Sequence, residues 1–384
     1  MPELFESAVY LAVFAALFIL NSVAIRQKRP ELRTFLVSVS FVILLVFIGF
    51  RYNVGTDYGS YLNEYQKVAT TPWSQLPSLR LELFVAALFK VCSYVFADPR
   101  LIFVVFGFLL LYPIYKVNKI YDYKYLSYSV LTFCVLFLPF GLNGMRQGIA
   151  MGFILLACVR FMRNDIKKGV VDFVISVLFH TSAWIVLPYI VAIYVCKRWN
   201  ISFTKVNVLL TAIIAIAVLF FLGKMLAGYG LTQYDYMLGN TNAEQISLRS
   251  VISYIPIAIL VFSLRGEQNE HFETVVMKNL TISGICLFAV GTSAQYLSRF
   301  GLYFMMPSII LLPELIQGIH IKQTRLALKG LFVLYLIVFF IAQYAVRGYH
   351  EILPYKTWLF ESEQVSLVEE EIIKSQTWQK RRLE

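Results

Sequence analysis

The run Arg51-Tyr-Asn-Val-Gly-Thr-Asp57-Tyr-Gly-Ser-Tyr61 gathers a cation, a carboxylate and several phenols into one polar segment between two long apolar stretches. Charge and irregular backbone are costly in lipid, so such a cluster belongs at the water interface, where it can meet a polar substrate carried by the bilayer. The competing reading is an interfacial loop with tyrosine anchors and a snorkelling arginine. Other polar groups also sit at apolar boundaries: Arg146 in Met-Arg-Gln-Gly, His180 in Phe-His-Thr-Ser, and Arg299 in Ser-Arg-Phe. An imidazole in apolar surroundings is biased toward its neutral form, which a general base requires. Asp57, with Arg51 as its cationic neighbour, is expected to have a lowered pKa and to accept a proton or orient a hydroxyl. His180 is preferred as base, with Asp57 the alternative. Against these stand a satisfied packing histidine and an aspartate that bonds turn amides.

The elements that must hold these groups are membrane helices. Of 384 residues, 59% are apolar and 15% charged, with a mean hydropathy of +0.68, a composition that is mostly membrane-embedded. A transmembrane helix needs about 20 apolar residues. Candidates run over 4–25, 34–50, 81–97, 101–117, 128–140, 148–161, 206–223, 251–264, 280–297, 300–315 and 331–346, with 169–196 as a short hairpin. The expected fold is all-α: a polytopic helical bundle of about 10 to 13 membrane segments, some re-entrant or half-crossing. Residues 1–347 form one transmembrane domain in this reading, and 348–384 a polar C-terminal tail. The net charge of +11 is carried by cations in short loops, so it reads as positive-inside patterning and not as a nucleic-acid surface. Cys92, Cys134, Cys158, Cys196 and Cys286 show no CxxC spacing, and no carboxylate or His/Cys cluster fits a metal. No P-loop occurs. A reaction without metal or cofactor is therefore expected.

Loop charge orders the crossings. Arg26, Lys28, Arg29 and Arg33 place the first loop inside, so the Arg51–Tyr61 run lies outside. Arg160, Arg163, Lys167 and Lys168 mark another inner loop, which puts the turn before Arg146 outside. The 169–196 stretch has basic flanks on both sides, Lys167 and Lys168 against Lys197 and Arg198, so a hairpin breaking at His180 is expected. Lys322, Arg325 and Lys329 lie inside, and Arg299 outside. One conflict remains: Lys116, Lys119 and Lys124 read as inner, which two full crossings over 81–117 would forbid. The segment holding Glu82 and Lys90 is therefore expected to be re-entrant or interfacial.

Arg51-Tyr-Asn-Val-Gly-Thr-Asp-Tyr-x-x-Tyr, Met-Arg146-Gln-Gly-Ile-Ala, Phe-His180-Thr-Ser-Ala, Ser-Arg299-Phe-x-x-Tyr303 and Pro354-Tyr355-Lys356 follow one another along the chain. In that order they resemble the EpsG family of Wzy-type O-antigen and exopolysaccharide polymerases, over nearly the whole length. The resemblance implies a GT-C-like glycosyltransferase of the bacterial inner membrane. Such an enzyme joins polyprenyl-diphosphate-linked oligosaccharide repeats at the periplasmic face. Its donor leaves as a diphosphate, whose charge calls for guanidinium groups that stay protonated in apolar surroundings. Arg51, Arg146 and Arg299 are assigned to that diphosphate, with Arg146 also counted beside His180 and Asp57 as catalytic. Tyr52, Tyr58, Tyr61, Asn143, Gln147, Tyr303 and Tyr355 are assigned to the sugars, and the loop 224–249 to choosing the repeat unit. The implied partners are the lipid-linked oligosaccharide, the bilayer, a chain-length regulator and a flippase, with no nucleic acid. A membrane O-acyltransferase and a lipid-linked oligosaccharide flippase are the alternatives, though no internal symmetry of the transporter kind is visible.

Overall fold

The computed structural model describes residues 2–213, 251–264, 271–290 and 295–360. The loop 224–249, most of the candidate span 206–223 and the tail beyond 360 lie outside the described residues. Among them, α1 (Pro2–Ala24) and α2 (Pro30–Gly49) form an antiparallel pair, α2 starting on Pro30 with Glu31 in its first turn. Both features favour a helix start, since proline has no amide to leave unpaired and the helix N-terminus attracts a carboxylate.

The next two helices, α3 (Tyr58–Thr70) and α4 (Leu83–Val95), are 13 residues each. At 1.5 Å per residue each is about 20 Å long, too short for a hydrocarbon core of about 30 Å. They pack on one another, and Lys90 of α4 donates to the Ala69 carbonyl at 2.7 Å, where the end of α3 is electronegative. The 81–97 segment thus holds a helix shorter than a full span, in keeping with the re-entrant or interfacial segment expected from the loop charges.

The bundle continues with α5 (Ile102–Ile120), α6 (Leu126–Leu136), α7 (Leu138–Asn143) and α8 (Met145–Met162). Helix α8 is apolar on every side, and 94% of its length is buried against 28% for the last long helix, so it is the central strut. After it, α9 (Ile166–Phe179) ends at an extended His180, a 3-10 turn covers Thr181–Val186, and α10 (Leu187–Trp199) returns. Lys197 of α10 donates to the Met162 carbonyl at the end of α8, so α10 returns to the level at which α9 begins, as expected of a break at His180. There follow α11 (Phe203–Ile213), α12 (Ile255–Ser263), α13 (Phe272–Val290), α14 (Gln295–Met305), α15 (Ser308–Gln317) and α16 (Lys322–Phe340). Among the described residues, six helices are long and apolar enough to span a membrane, and α14–α15 form a pair bent by 46° that makes seven if the two count as one span. The chain is an all-α, multi-pass membrane protein.

Polar contacts gather the basic loops at one end. Arg33 pairs with Asp122 at 3.1 Å, Arg163 with Glu273 at 3.2 Å, and Gln317 donates to the Lys124 carbonyl at 3.4 Å. The start of α2 and the ends of α5, α8 and α15 therefore meet there. At the opposite end, residues 349–358 fold back over the loop after α2. Tyr52 N–H donates to Lys356 O (2.9 Å), Gly55 N–H to Glu351 O (3.2 Å) and Trp358 N–H to Phe50 O (3.1 Å). Residues 348–360, read from sequence as the start of a polar tail, are thus bound to the bundle, and Tyr355 stacks on Phe47 at 4.2 Å.

Candidate active site

At the end of the bundle opposite the basic loops, the Glu82 carboxylate joins two groups. Its Oε2 meets Arg146 Nη1 at 2.5 Å and its Oε1 meets His180 Nδ1 at 2.8 Å. Each comes from a helix boundary: Glu82 caps the start of α4, Arg146 sits in the first turn of α8, and His180 ends α9. Burial alone would raise the Glu82 carboxyl, but the hydrogen bond to His180 and the Arg146 charge outweigh it and hold the group at about 2. An ionised carboxylate only accepts, so Nδ1 of His180 donates to it and Nε2 is the ring nitrogen left for another partner. The side chains of Arg146 and His180 are 24% and 29% exposed, enough for an incoming group to reach them. An imidazole and a guanidinium are thereby held by one carboxylate.

A second network lies beside the first. Asn143 Oδ1 accepts from Thr56 Oγ1 and from the Asp57 amide, both at 2.8 Å. Gly55 makes the approach possible, because its φ of +91° is a region that side-chain-bearing residues rarely enter. Since the Asp57 amide can only donate, Asn143 must turn its Nδ2 toward His350, where it meets Nδ1 at 3.1 Å. His350 Nδ1 is then an acceptor. Burial first, and the nearby Arg299 charge second, hold this imidazole down at about 3. Arg299 is exposed, and its carbonyl accepts from Gln147 Nε2 at 2.8 Å, which ties α14 to the start of α8. Asp57 makes no capping bond to the amides of α3, though its carboxylate is hydrogen-bonded to Thr56 in the same turn. Its carboxyl is raised by burial, while Arg299 and then Arg146 act against the rise. The expected lowering by Arg51 is corrected: the cations that reach Asp57 are Arg299 and Arg146.

Arg51 itself is wholly buried. Its guanidinium donates to Ile48 O at 2.8 Å and Leu142 O at 3.1 Å, touches Met145 Sδ at 3.1 Å, and lies 4.5 Å from the centre of the Phe103 ring. It closes the carbonyl ends of α2 and α7, and its complete burial gives it no open face toward a diphosphate. The tyrosines assigned to sugars are likewise covered. Tyr58 stacks on Phe103 at 4.5 Å and Tyr52 meets Tyr58 edge-on. Tyr355 donates to Phe47 O at 2.8 Å, Tyr303 shares a 2.9 Å bond with Ser182, and Tyr61 accepts the Arg146 amide at 3.4 Å. All but Tyr355 are under a tenth exposed, so their rings brace the site from behind and offer no free face to a sugar. Asn143 and Gln147 are buried as well, at its floor.

Sequence reasoning missed Glu82, His350 and Glu64. Glu82 stood out in the sequence only as a carboxylate in an apolar segment, and no local pattern singles out His350 or Glu64. Glu64 of α3 is raised by burial, with Arg146 acting against the rise, so three carboxylates surround that arginine. Among the described residues, no group of His, Cys, Asp and Glu is arranged to hold a metal ion.

A family model matches residues 34–357, and its description is the EpsG family. The chain belongs to the EpsG family. The match takes in every candidate group from Arg51 to Tyr355 and supports a general polysaccharide-polymerase-like activity. No curated protein and no solved structure matches the chain. Within this EpsG-family chain, His180 and Arg146 share the Glu82 carboxylate, and Asp57 feels the charges of Arg299 and Arg146.

Proposed function

We propose that this EpsG-family chain is a glycosyltransferase joining polyprenyl-diphosphate-linked oligosaccharide repeats at the outer face of the bacterial inner membrane. The observation that carries the reading is the Glu82 carboxylate, held between His180 and Arg146. Glycosyl transfer needs a base at the acceptor and positive charge at the leaving group, and this unit supplies both.

In the step, an acceptor sugar hydroxyl attacks the anomeric carbon of the donor and its proton passes to His180 Nε2. The bond between that carbon and the phosphate oxygen breaks, and the polyprenyl diphosphate leaves with the electron pair. Arg146 and Arg299 take up the charge that develops there. Glu82 keeps the imidazole oriented and stabilises it once protonated, as a carboxylate does behind a catalytic histidine. Asp57 faces Arg299 and Arg146 and orients the donor sugar. A flippase would deliver the lipid-linked repeat to this face, and a chain-length regulator would act on the growing product. The positive-inside rule supports the sidedness, since the basic loops cluster at the end away from the site.

Purified protein in lipid, supplied with a polyprenyl-diphosphate-linked repeat, is expected to yield a ladder of polymer lengths. Arg146→Ala and Glu82→Gln should each lower the rate at least 100-fold while leaving the purified protein folded. A single added acyl group would mark an acyltransferase instead. Lipid-linked repeats that change sides with no covalent change would mark a flippase.

A further inference from the structure

At the basic end of the bundle, where α8 ends and α9 begins, a cavity of about 490 Å³ opens between α5, α8 and α9. Its apolar wall includes Phe108, Tyr112 and Val171, which are 47%, 37% and 55% exposed, so it faces lipid and not the protein interior. Its rim carries Arg160, Lys167 and Lys168, with Asp172 as its carboxylate. Arg160 takes Asp172 at 2.7 Å and Lys168 takes Asp165 at 2.9 Å. Lys116 of α5 also acts on Asp172. Positive charge remains in surplus, and Lys167 has no carboxylate partner among the described residues.

We propose that this groove binds one anionic phospholipid, its phosphate on Lys167 and Lys168 and an acyl chain along Phe108, Tyr112 and Val171. Two features select that occupant. A soluble anion has no use for an apolar wall open to the hydrocarbon, and a zwitterionic lipid brings its own cation to a rim already positive. Basic pockets between helices at the cytoplasmic surface suit anionic headgroups for the same reason. The site lies at the opposite end from the Glu82 cluster, so it is independent of the proposed polymerase reaction.

The test is native mass spectrometry of the full chain in detergent, incubated with phosphatidylglycerol or phosphatidylcholine, with glycerol phosphate as soluble competitor. The protein should retain one phosphatidylglycerol at least tenfold better than phosphatidylcholine, and glycerol phosphate should not displace it. Changing both Lys167 and Lys168 to Ala should weaken retention about 30-fold. Val171→Trp, which fills the wall and removes no charge, should weaken it as well. Both lysines are exposed and Val171 faces lipid, so unchanged elution and melting are expected in these variants. Equal retention of the two lipids, retention unaffected by either variant, or displacement by glycerol phosphate would each overturn the assignment.

Discussion

A guanidinium at a helix end has two uses, and the environment decides between them. Arg51 spends its donors on the carbonyls of Ile48, Val54 and Leu142, so it works inside the fold, whereas Arg146 faces carboxylates in a half-open site. Arg51→Met should therefore strand buried acceptors and cost about 3 kcal/mol of stability. Thermal unfolding should drop sharply, while polymerisation per folded molecule stays near wild type; a full-strength fold with lost catalysis would return Arg51 to the diphosphate. His350 gives a pH signature. Its imidazole stays neutral in the fold down to about 3, while the unfolded chain takes a proton near 6.5. The unfolded state thus binds more protons between those values, so this group costs stability as pH falls from about 6.5 toward about 3. Melting temperature of wild type should fall over that window, and His350→Gln should flatten the fall. His180, Arg146, Asp57 and Arg299 were legible because charge within apolar sequence is expensive and stands out. Their partners were not, since Glu82 meets Arg146 across 64 positions and His350 meets Asn143 across 207. Nothing in local pattern encodes such a pairing.

Among elements, close packing sets where the site groups fall. In lipid, helices gain little from apolar burial against each other, so they associate by tight contact through small residues. Helices α13 and α14 meet at Gly284 and Gly301: a Cβ on Gly301 would lie 2.6 Å from Gly284 O, and one on Gly284 2.7 Å from Gly301 O. Backbone cannot yield as a side chain can. Gly301→Val should therefore force the pair apart, displace Arg299 two residues earlier, and lower both melting temperature and polymerisation rate, the latter by tenfold or more. A variant that kept wild-type activity would uncouple Arg299 from this crossing. The break at His180 and the shortness of the helix within 81–97 were readable from loop charge. The break of α6 before α7 was passed over although Pro139, in the first turn of α7, marks it, since proline supplies no amide to a continuing helix.

For the whole molecule, the parity of crossings fixes which groups can share a substrate. If α4 spanned the bilayer, everything after it, the end of α5 and Arg146 included, would change sides relative to Glu82, and the site groups could not meet as they do. The sidedness is testable with cysteine substitutions at Gln75, Ala97 and Lys119, all exposed, in a Cys286→Ser background, because the other four native cysteines are buried. Gln75 and Ala97 flank α4, and both should react with a membrane-impermeant maleimide added to spheroplasts. Lys119→Cys should react only after the membrane is permeabilised. Labelling of Gln75→Cys and Ala97→Cys from opposite compartments would mean that α4 crosses. Glu82 would then be severed from Arg146 and His180, and the ionic unit on which the reaction depends could not assemble.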